Sequence, residues 1–127
     1  QDVAWTLRLE AIGDTIWTKV IPVQSLRGHS VEQLPDSGFV IMGVRALTFL
    51  FSQFCIVKLN DLGNFQWSEN FGGSNNDNLY DGHWTSDGGY ILAGSNSSLN
   101  GDVSTSYGGS DIWVVKVRDC IKSDSAN

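Results

Sequence analysis

Short runs of apolar residues alternate along the chain with clusters of glycine, asparagine, aspartate and serine. The runs at 78–86 and 90–95, for example, are separated by Asp87-Gly88-Gly89. Runs of this length bounded by turn residues predict β-strands joined by hairpins, and glycine supplies the positive φ angles that tight turns need. The sequence therefore predicts an all-β protein.

Two of the predicted strands contain almost continuous apolar runs. These are Tyr90-Ile-Leu-Ala93 and Ile112-Trp-Val-Val115. A strand with one solvated face shows strict alternation, whereas a continuous run is typical of a strand covered on both faces. We therefore expect both strands to be covered on both faces.

Three kinds of segment recur in the same order, which indicates an internal repeat. The recurring segments are Trp5-Thr-Leu-Arg-Leu9, Cys55-Ile-Val-Lys-Leu59 and Trp113-Val-Val-Lys-Val117; Gly13-Asp-Thr-Ile-Trp17 and Gly63-Asn-Phe-Gln-Trp67; and Asp36-Ser-Gly-Phe-Val-Ile-Met-Gly43 and Asp87-Gly-Gly-Tyr-Ile-Leu-Ala-Gly94. Gly13 and Gly63 are 50 residues apart, Asp36 and Asp87 are 51 apart, and Lys58 and Lys116 are 58 apart. The additional residues fall between Gly94 and Trp113, so one loop is longer in the later copy, which a repeat fold tolerates.

Each repeat unit is predicted to hold four antiparallel strands. The chain then holds two strands, four strands and three strands, or about two and a quarter units. Four antiparallel strands repeated every ~40 to 50 residues are typical of β-propeller blades. The predicted boundaries are a partial blade at 1–20, a blade at 28–71, a partial blade at 78–118 and a tail at 119–127. A propeller ring takes about four to eight blades, so we expect further blades or further copies to complete this one.

The later copy resembles a known repeat. Its segments Trp67–Asp77, Thr85–Ser95, Gly101–Ser104 and Gly108–Lys116 are similar to the kelch-like propeller repeats of secreted and surface proteins from Bacteroidetes-type bacteria. Many of those proteins are cargo of the type IX secretion system. The resemblance implies a propeller fold, export and a role at the cell surface, and it brings no catalytic residues.

Charge and composition exclude some functional classes. The net charge is −6 and the basic residues are scattered, whereas nucleic-acid binding needs a basic stripe. No apolar stretch reaches the ~18 to 20 residues of a membrane span. The acidic surface and a Gln1 that resembles a processed terminus predict a secreted or surface protein. Cys55 and Cys120 can pair, stay free or bond outside this segment.

The tryptophans divide into two groups. Four of them stand at repeat-equivalent positions, where large apolar rings are expected to pack between blades; these are Trp5, Trp17, Trp67 and Trp113. Trp84 has Gln33 as its equivalent in the earlier copy. We therefore treat Trp84 as a candidate for lining a channel or stacking on a sugar.

The most polar segments are 71–78 and 95–110, two loops that share one face in a propeller. Their candidate ligand-binding residues are Asn75, Asn76, Asp77, Asp102 and Tyr107. Weak calcium candidates, on the basis of oxygen ligands alone, are Asp77, Asp81, Asp102 and Asp111. These residue types also dominate ordinary turns. The sequence therefore predicts that the protein has no cofactor, and the alternative is that it binds calcium.

No catalytic constellation can be assigned from spacing. His29 and His83 are not repeat-equivalent, and no nucleophile-elbow motif occurs. Lys58, Lys116 and the equivalent Arg8 recur once per repeat, which favours a structural role. The sequence therefore predicts a non-enzymatic extracellular binding or scaffolding module with a protein partner or further blades. The alternatives are a carbohydrate-binding lectin that uses Trp84 or Tyr107, and a fragment of a larger propeller enzyme.

Overall fold

The computed structural model describes residues 3–48, 51–98, 100–103 and 108–118. The described residues form nine β-strands and no helix, which confirms the all-β prediction. The strands are β1 (Val3–Leu9), β2 (Thr15–Gln24), β3 (Leu26–Gln33), β4 (Phe39–Thr48), β5 (Phe51–Leu59), β6 (Phe65–Phe71), β7 (Asp77–Trp84), β8 (Tyr90–Asn96) and β9 (Asp111–Val117). No helix that could cross a bilayer occurs in this part of the chain.

The strands form three antiparallel sheets, each in sequential order. Sheet A contains β1 and β2, sheet B contains β3 to β6, and sheet C contains β7 to β9. Two, four and three strands is the division that the sequence predicts. Within the described residues the sheets do not close into a ring.

The strand registers repeat with the offsets found in the sequence. All seven β3–β4 pairs recur between β7 and β8 at an offset of 51, so that Leu26↔Arg45 corresponds to Asp77↔Asn96. Even the irregularity between Gly28 and Ser30 has its counterpart between Leu79 and Asp81. Five of the six β1–β2 pairs recur between β5 and β6 at an offset of 50. The sequence repeat is therefore a repeat of hydrogen-bonded geometry.

Four hairpins use the same turn. In each, the first residue of a five-residue segment accepts a backbone hydrogen bond from the fourth and donates one to the fifth; the segments are 10–14, 34–38, 60–64 and 85–89. The fourth residue has a positive φ every time, and it is glycine in three of the turns. In the remaining turn it is Ser37, with φ at 69°. A left-handed serine costs roughly 1 kcal/mol relative to an unstrained residue.

The sheets stack face to face, and the central strands of sheet B, β4 and β5, are buried on both faces. One cluster packs sheet B against sheet C through Val40, Met42, Val44, Phe54, Ile56, Leu79, Tyr90 and Leu92. A second cluster packs sheet B against sheet A through Ile21, Val23, Leu26, Ile41, Cys55, Val57 and Leu59. Burying one such side chain contributes ~1.5–3 kcal/mol, so the two clusters are the main source of stability.

Aromatic pairs lie between the sheets. The ring of Trp17 meets Phe39 edge-on at 5.7 Å, and Trp67 meets Tyr90 in the same way at 6.0 Å. Trp113 lies 5.0 Å from Phe54. These three tryptophans therefore contact aromatic residues of a neighbouring sheet, as expected.

Trp5 corrects that expectation, because it is 62% exposed on the outer face of sheet A. The apolar runs of β8 and β9 also lack the expected cover on both faces. Ile112 is 88% exposed and Val114 is 57% exposed, and Ile91 is exposed as well. The reason is the same at both ends of the stack: among the described residues, no further sheet lies against either outer face.

Candidate functional site

Two polar loops meet at one end of sheets B and C. The first connects β6 to β7 at 72–76, and the second follows β8 at 97–103. Asp102 and Gly72 are bonded reciprocally, since Gly72 N–H donates to Asp102 Oδ2 at 3.0 Å and Asp102 N–H donates to the Gly72 carbonyl at 2.9 Å. We call the two loops together the loop platform.

Further bonds fix the rest of the loop platform. Asn100 Oδ1 accepts from both the N–H and the hydroxyl of Ser74, at 2.9 and 3.1 Å. Asn75 N–H donates to Ser98 Oγ at 3.0 Å, and its side-chain amide donates to the Ser97 carbonyl at 3.1 Å. Because each loop satisfies the backbone groups of the other, the loop platform is preorganised.

Close backbone approach explains two of the glycines in the loop platform. A Cβ atom at Gly73 would lie 2.4 Å from the Asn100 carbonyl oxygen, and one at Gly101 would lie 2.3 Å from the Gly72 carbonyl oxygen. Both distances are well inside van der Waals contact. The loops can meet at this spacing only because no side chain begins there.

Asp77 anchors the loop platform from below. It is fully buried, and its Oδ2 accepts from Gly73 N–H at 3.1 Å and from the Ser98 hydroxyl at 3.0 Å. Burial raises the pKa of Asp77, although these hydrogen bonds oppose the increase. A neutral carboxyl is therefore easier to form here than in water.

Two buried oxygens beside this anchor have no hydrogen-bond partner: Asp77 Oδ1 and Asn96 Oδ1. Asp77 and Asn96 are register partners across β7 and β8, so their side chains lie on the same face of sheet C. Both atoms are acceptors. They can be satisfied by a hydrogen-bond donor, such as a water molecule or the protonated carboxyl of Asp77, or by a bound cation.

The structure brings four of the six candidate ligand-binding residues together. Asn75, Asn76 and Asp102 belong to the loop platform and are exposed, and Asp77 is the buried residue that anchors it. Tyr107 lies outside the described residues. The sequence patterns did not single out Ser98 or Asn100, whose side chains lock the two loops together. The short Asn-Gly-Asp run at 100–102 was the only signal for that role.

The calcium candidates do not form a single cluster. Asp81 contacts the ring of His83 on β7, at 3.0 Å, and Asp111 begins β9 opposite Asn96. Across the described ranges, no group of three or more histidine, cysteine, aspartate or glutamate side chains is placed to hold a metal ion. Calcium binding therefore stays a prediction from the sequence.

Trp84 lies at the end of β7, away from the loop platform, beside a cleft of about 490 Å³. The cleft runs between sheets B and C and is lined by Leu34, Pro35, Asp36, Lys58, Gln66, Trp67, Trp84, Ser86, Gly88, Gly89 and Tyr90. The lining of this partly open cleft therefore combines three aromatic residues with several hydrogen-bonding groups. Trp84 also packs against the core between the sheets, so its ring has a structural role as well.

A repeated ion pair borders this cleft. Lys58 Nζ lies 3.2 Å from Asp36 Oδ2, and the equivalent Lys116 lies 2.9 Å from Asp87 Oδ2. Burial by itself raises the pKa of Asp36, but the Gly38 N–H and the Lys58 ammonium outweigh it and hold the pKa below its usual value. The two lysines thus pair with the turn aspartates, in keeping with a structural role.

His83 bridges sheets B and C. Its Nδ1 lies 3.3 Å from Glu32 Oε2 on β3, and Glu32 Oε1 accepts the N–H of Trp84 at 2.8 Å. Hydrogen bonds to Glu32 and Asp81 raise the pKa of His83. His83 and Glu32 are repeat-equivalent residues, and the stacking of the sheets brings them into contact.

Cys55 is free and fully buried between sheets A and B, and Cys120 lies outside the described residues. Burial raises the pKa of the Cys55 thiol to about 12. A thiol with this pKa is almost entirely protonated at neutral pH, so Cys55 behaves as a core residue rather than a nucleophile.

Comparison with known proteins adds no family to this picture. No protein-family model matches the chain, and no curated protein matches it.

Proposed function

We propose that this chain is a non-enzymatic extracellular module, built from β-propeller repeats of the Bacteroidetes type, that binds a partner through the loop platform. The observation that carries the proposal is the interlocking of the two loops. The side chains of Ser74, Asn75, Asn76, Asn100 and Asp102 are all exposed. Four of them also bond the two loops to each other, whereas the side chain of Asn76 takes no part in these bonds. A rigid surface of amide groups loses little entropy on binding.

The chemistry of the loop platform favours recognition over catalysis. Its exposed side chains are amides and a hydroxyl with one carboxylate, Asp102, and Asp77 is held below the surface by Gly73 and Ser98. Amides donate and accept hydrogen bonds but transfer no proton at neutral pH. The propeller assignment is supported by the repeated registers and by the stacking of a four-stranded sheet between two others.

Export is supported by composition and by the resemblance. The net charge of −6 and the polar loops suit a solvated extracellular surface, and the scattered basic residues do not favour nucleic acid as a partner. The proposed partner is therefore a protein at the cell surface.

Differential capture tests this proposal. The wild-type chain, Asn76→Arg and Asn64→Arg are immobilised and exposed to the extracellular protein fraction of the organism that encodes the chain. Asn76 and Asn64 are both exposed, but Asn64 lies in the β5–β6 turn at the opposite end of the sheets. We expect at least one protein to be retained by the wild type and by Asn64→Arg but lost with Asn76→Arg. Identical sets of retained proteins for all three chains would contradict the proposal.

A second candidate function is carbohydrate binding at the Trp84 cleft. It is favoured by the combination of the partly exposed Trp67 and Trp84 with the polar groups of Asp36 and Gln66, because sugars stack on aromatic faces and bond to fixed polar groups. A glycan array with the wild-type chain and Trp84→Leu tests it. Signals that disappear in the folded Trp84→Leu variant support a lectin, and an array without signals for the wild type rules it out.

A further inference from the structure

The exposed outer face of sheet C repeats a face that is buried on sheet B. Ile112 and Val114 on β9 are equivalent to Phe54 and Ile56 on β5, which are both 0% exposed. Likewise, Ile91 on β8 is equivalent to the buried Val40 on β4. On sheet B this face is covered by the inner face of sheet C. The outer face of sheet C thus has the apolar side chains of a covered face, but no sheet formed by the described residues lies over it.

The outer face of sheet A is equivalent to the faces of sheets B and C that pack against the preceding sheet. Trp5, Leu7 and Leu9 on β1 are all exposed. Their equivalents on β9 are Trp113, Val115 and Val117, which pack against sheet B from sheet C. Their equivalents on β5 are Cys55, Val57 and Leu59, which pack against sheet A. In sheets B and C, the equivalent residues pack against the sheet that precedes them in the chain. In sheet A these residues are exposed.

The outer face of sheet C thus corresponds to the sheet B side of the B–C interface, and the outer face of sheet A corresponds to the β9 part of its sheet C side. We propose that the outer face of sheet C docks against the outer face of sheet A of a second copy of this chain, head to tail. The contact repeats the part of the B–C packing that lies between β5 and β9, with Ile112 and Val114 in place of Phe54 and Ile56, and with Trp5 and Leu7 in place of Trp113 and Val115. Sheet A has two strands among the described residues, so β7 and β8, which supply Leu79, Tyr90 and Leu92 to the B–C contact, have no counterpart in it.

The charges near this contact suit the same arrangement. No charged side chain lies on the exposed face made by Trp5, Leu7, Leu9, Ile16 and Val20. The outer face of sheet C carries Lys116 on β9 and, on β7, Asp81 and His83, which contact each other at 3.0 Å. The Lys116 side chain is 45% exposed, against 6% for the equivalent Lys58. Both lysines are neutralised by a turn aspartate, and Lys58 shows that the pair is accepted under a covering sheet.

Sedimentation velocity on the full chain tests the proposal, with Leu7→Asp to block the sheet A face and Val114→Asp to block the sheet C face. For the wild type we expect a mass above the 13.9 kDa monomer that increases with concentration. Each variant alone is expected to stay monomeric. An equimolar mixture is expected to form dimers and nothing larger, because each partner keeps one complementary face.

Ile12→Asp is the matched control, since Ile12 is an exposed apolar residue in the β1–β2 turn and belongs to neither face. It should associate like the wild type. Trp5→Asp and Ile112→Asp replace the first pair if circular dichroism shows that either chain is unfolded. A wild type that stays monomeric up to about 1 mM overturns the proposal. So do single variants that still dimerise, because that result means like faces pair with each other.

This inference rests on the propeller-repeat part of the proposed function and not on recognition at the loop platform. The variants that test it lie on the sheet faces, whereas Asn76→Arg tests the loop platform. Failure of head-to-tail association is therefore distinguishable from failure of partner recognition.

Discussion

Ser37 is the one residue that breaks the pattern of the four equivalent turns. It has φ at 69°, in the position that Gly13, Gly63 and Gly88 occupy elsewhere. We expect Ser37→Gly to increase the free energy of unfolding by roughly 0.5 kcal/mol, because relief of left-handed strain exceeds the added entropy of the unfolded chain. Urea denaturation measures the difference. The reciprocal variant, Gly88→Ser, is expected to be destabilised, and equal stability of both variants with the wild type would contradict this account of the turns.

The carboxyl of Asp77 is predicted to be a source of instability at neutral pH. In Asp77→Asn, the amide oxygen can still accept the bonds from Gly73 and Ser98, while the new NH₂ takes the place of the unpartnered Oδ1. We expect Asp77→Asn to be more stable than the wild type by about 1 kcal/mol at pH 7, because a buried charge is removed.

The pH dependence of that difference follows from the sign of the shift. The pKa of Asp77 is raised in the folded protein, so the wild type loses stability as the pH rises above the ordinary carboxyl value of 3.8. Urea denaturation at several pH values should show the advantage of Asp77→Asn only above that range. Adding calcium provides the counter-test: if calcium stabilises the wild type and reverses the order of the two proteins, the oxygens hold a cation.

His83 is expected to make stability depend on pH near neutrality. Its folded pKa lies above the ordinary 6.5, so the stabilisation by Glu32 and Asp81 is complete below that value and is lost as the pH rises through the folded pKa. The melting temperature of the wild type should therefore fall more between about pH 6 and pH 8 than that of His83→Gln. Equal slopes for the two proteins would show that the bridge carries no charge.

At the scale of the strands, the paired irregularities in β3–β4 and β7–β8 depend on glycine. A Cβ atom at Gly94 would lie 2.0 Å from the Asn78 carbonyl oxygen, and the equivalent Gly43 meets the Arg27 carbonyl at the same distance. We expect Gly94→Ala to cost roughly 2–4 kcal/mol, since backbone must move. Gly109→Ala is the control, because a Cβ there meets nothing within 4 Å. A wild-type melting temperature for Gly94→Ala would refute this explanation.

The strands and their grouping were predictable, because turn residues and repeated segments carry local information. The motif shared by Asp36–Gly43 and Asp87–Gly94 marks equivalent hairpins, and the structure pairs them in the same register. What the pattern did not reveal is which apolar faces are covered. The run Ile112-Trp-Val-Val115 looks the same whether or not a sheet lies against it, since cover depends on what neighbours β9 in space.

The candidate site was predictable to a similar extent. The positions of Asn75, Asn76, Asp77 and Asp102 in two polar loops indicated a shared face, and the structure brings the loops together. The burial of Asp77 was not predictable, because Asx residues suit exposed turns and buried anchors equally well. The lock that Ser98 and Asn100 form depends on contacts more than twenty residues apart in sequence.

At the scale of the whole molecule, the described residues form a stack of three sheets in which the central strands of sheet B are covered on both faces, and sheets A and C each expose apolar side chains on their outer face. The loop platform lies across the end of sheets B and C, so its geometry depends on the stacking of those two sheets. The proposed recognition at the loops and the proposed contact through the sheet faces therefore involve separate surfaces of one repeated unit.

Amide hydrogen exchange of the loop platform, followed by NMR, tests the central claim of a preorganised recognition surface most directly. The N–H groups of Gly72, Gly73, Ser74 and Asn75 donate in sequence to Asp102, Asp77, Asn100 and Ser98. We predict that these four consecutive amides exchange slowly, at rates within the range of the β7 and β8 amides. Exchange at the rate of an unprotected loop would contradict the claim that the platform is rigid before it binds.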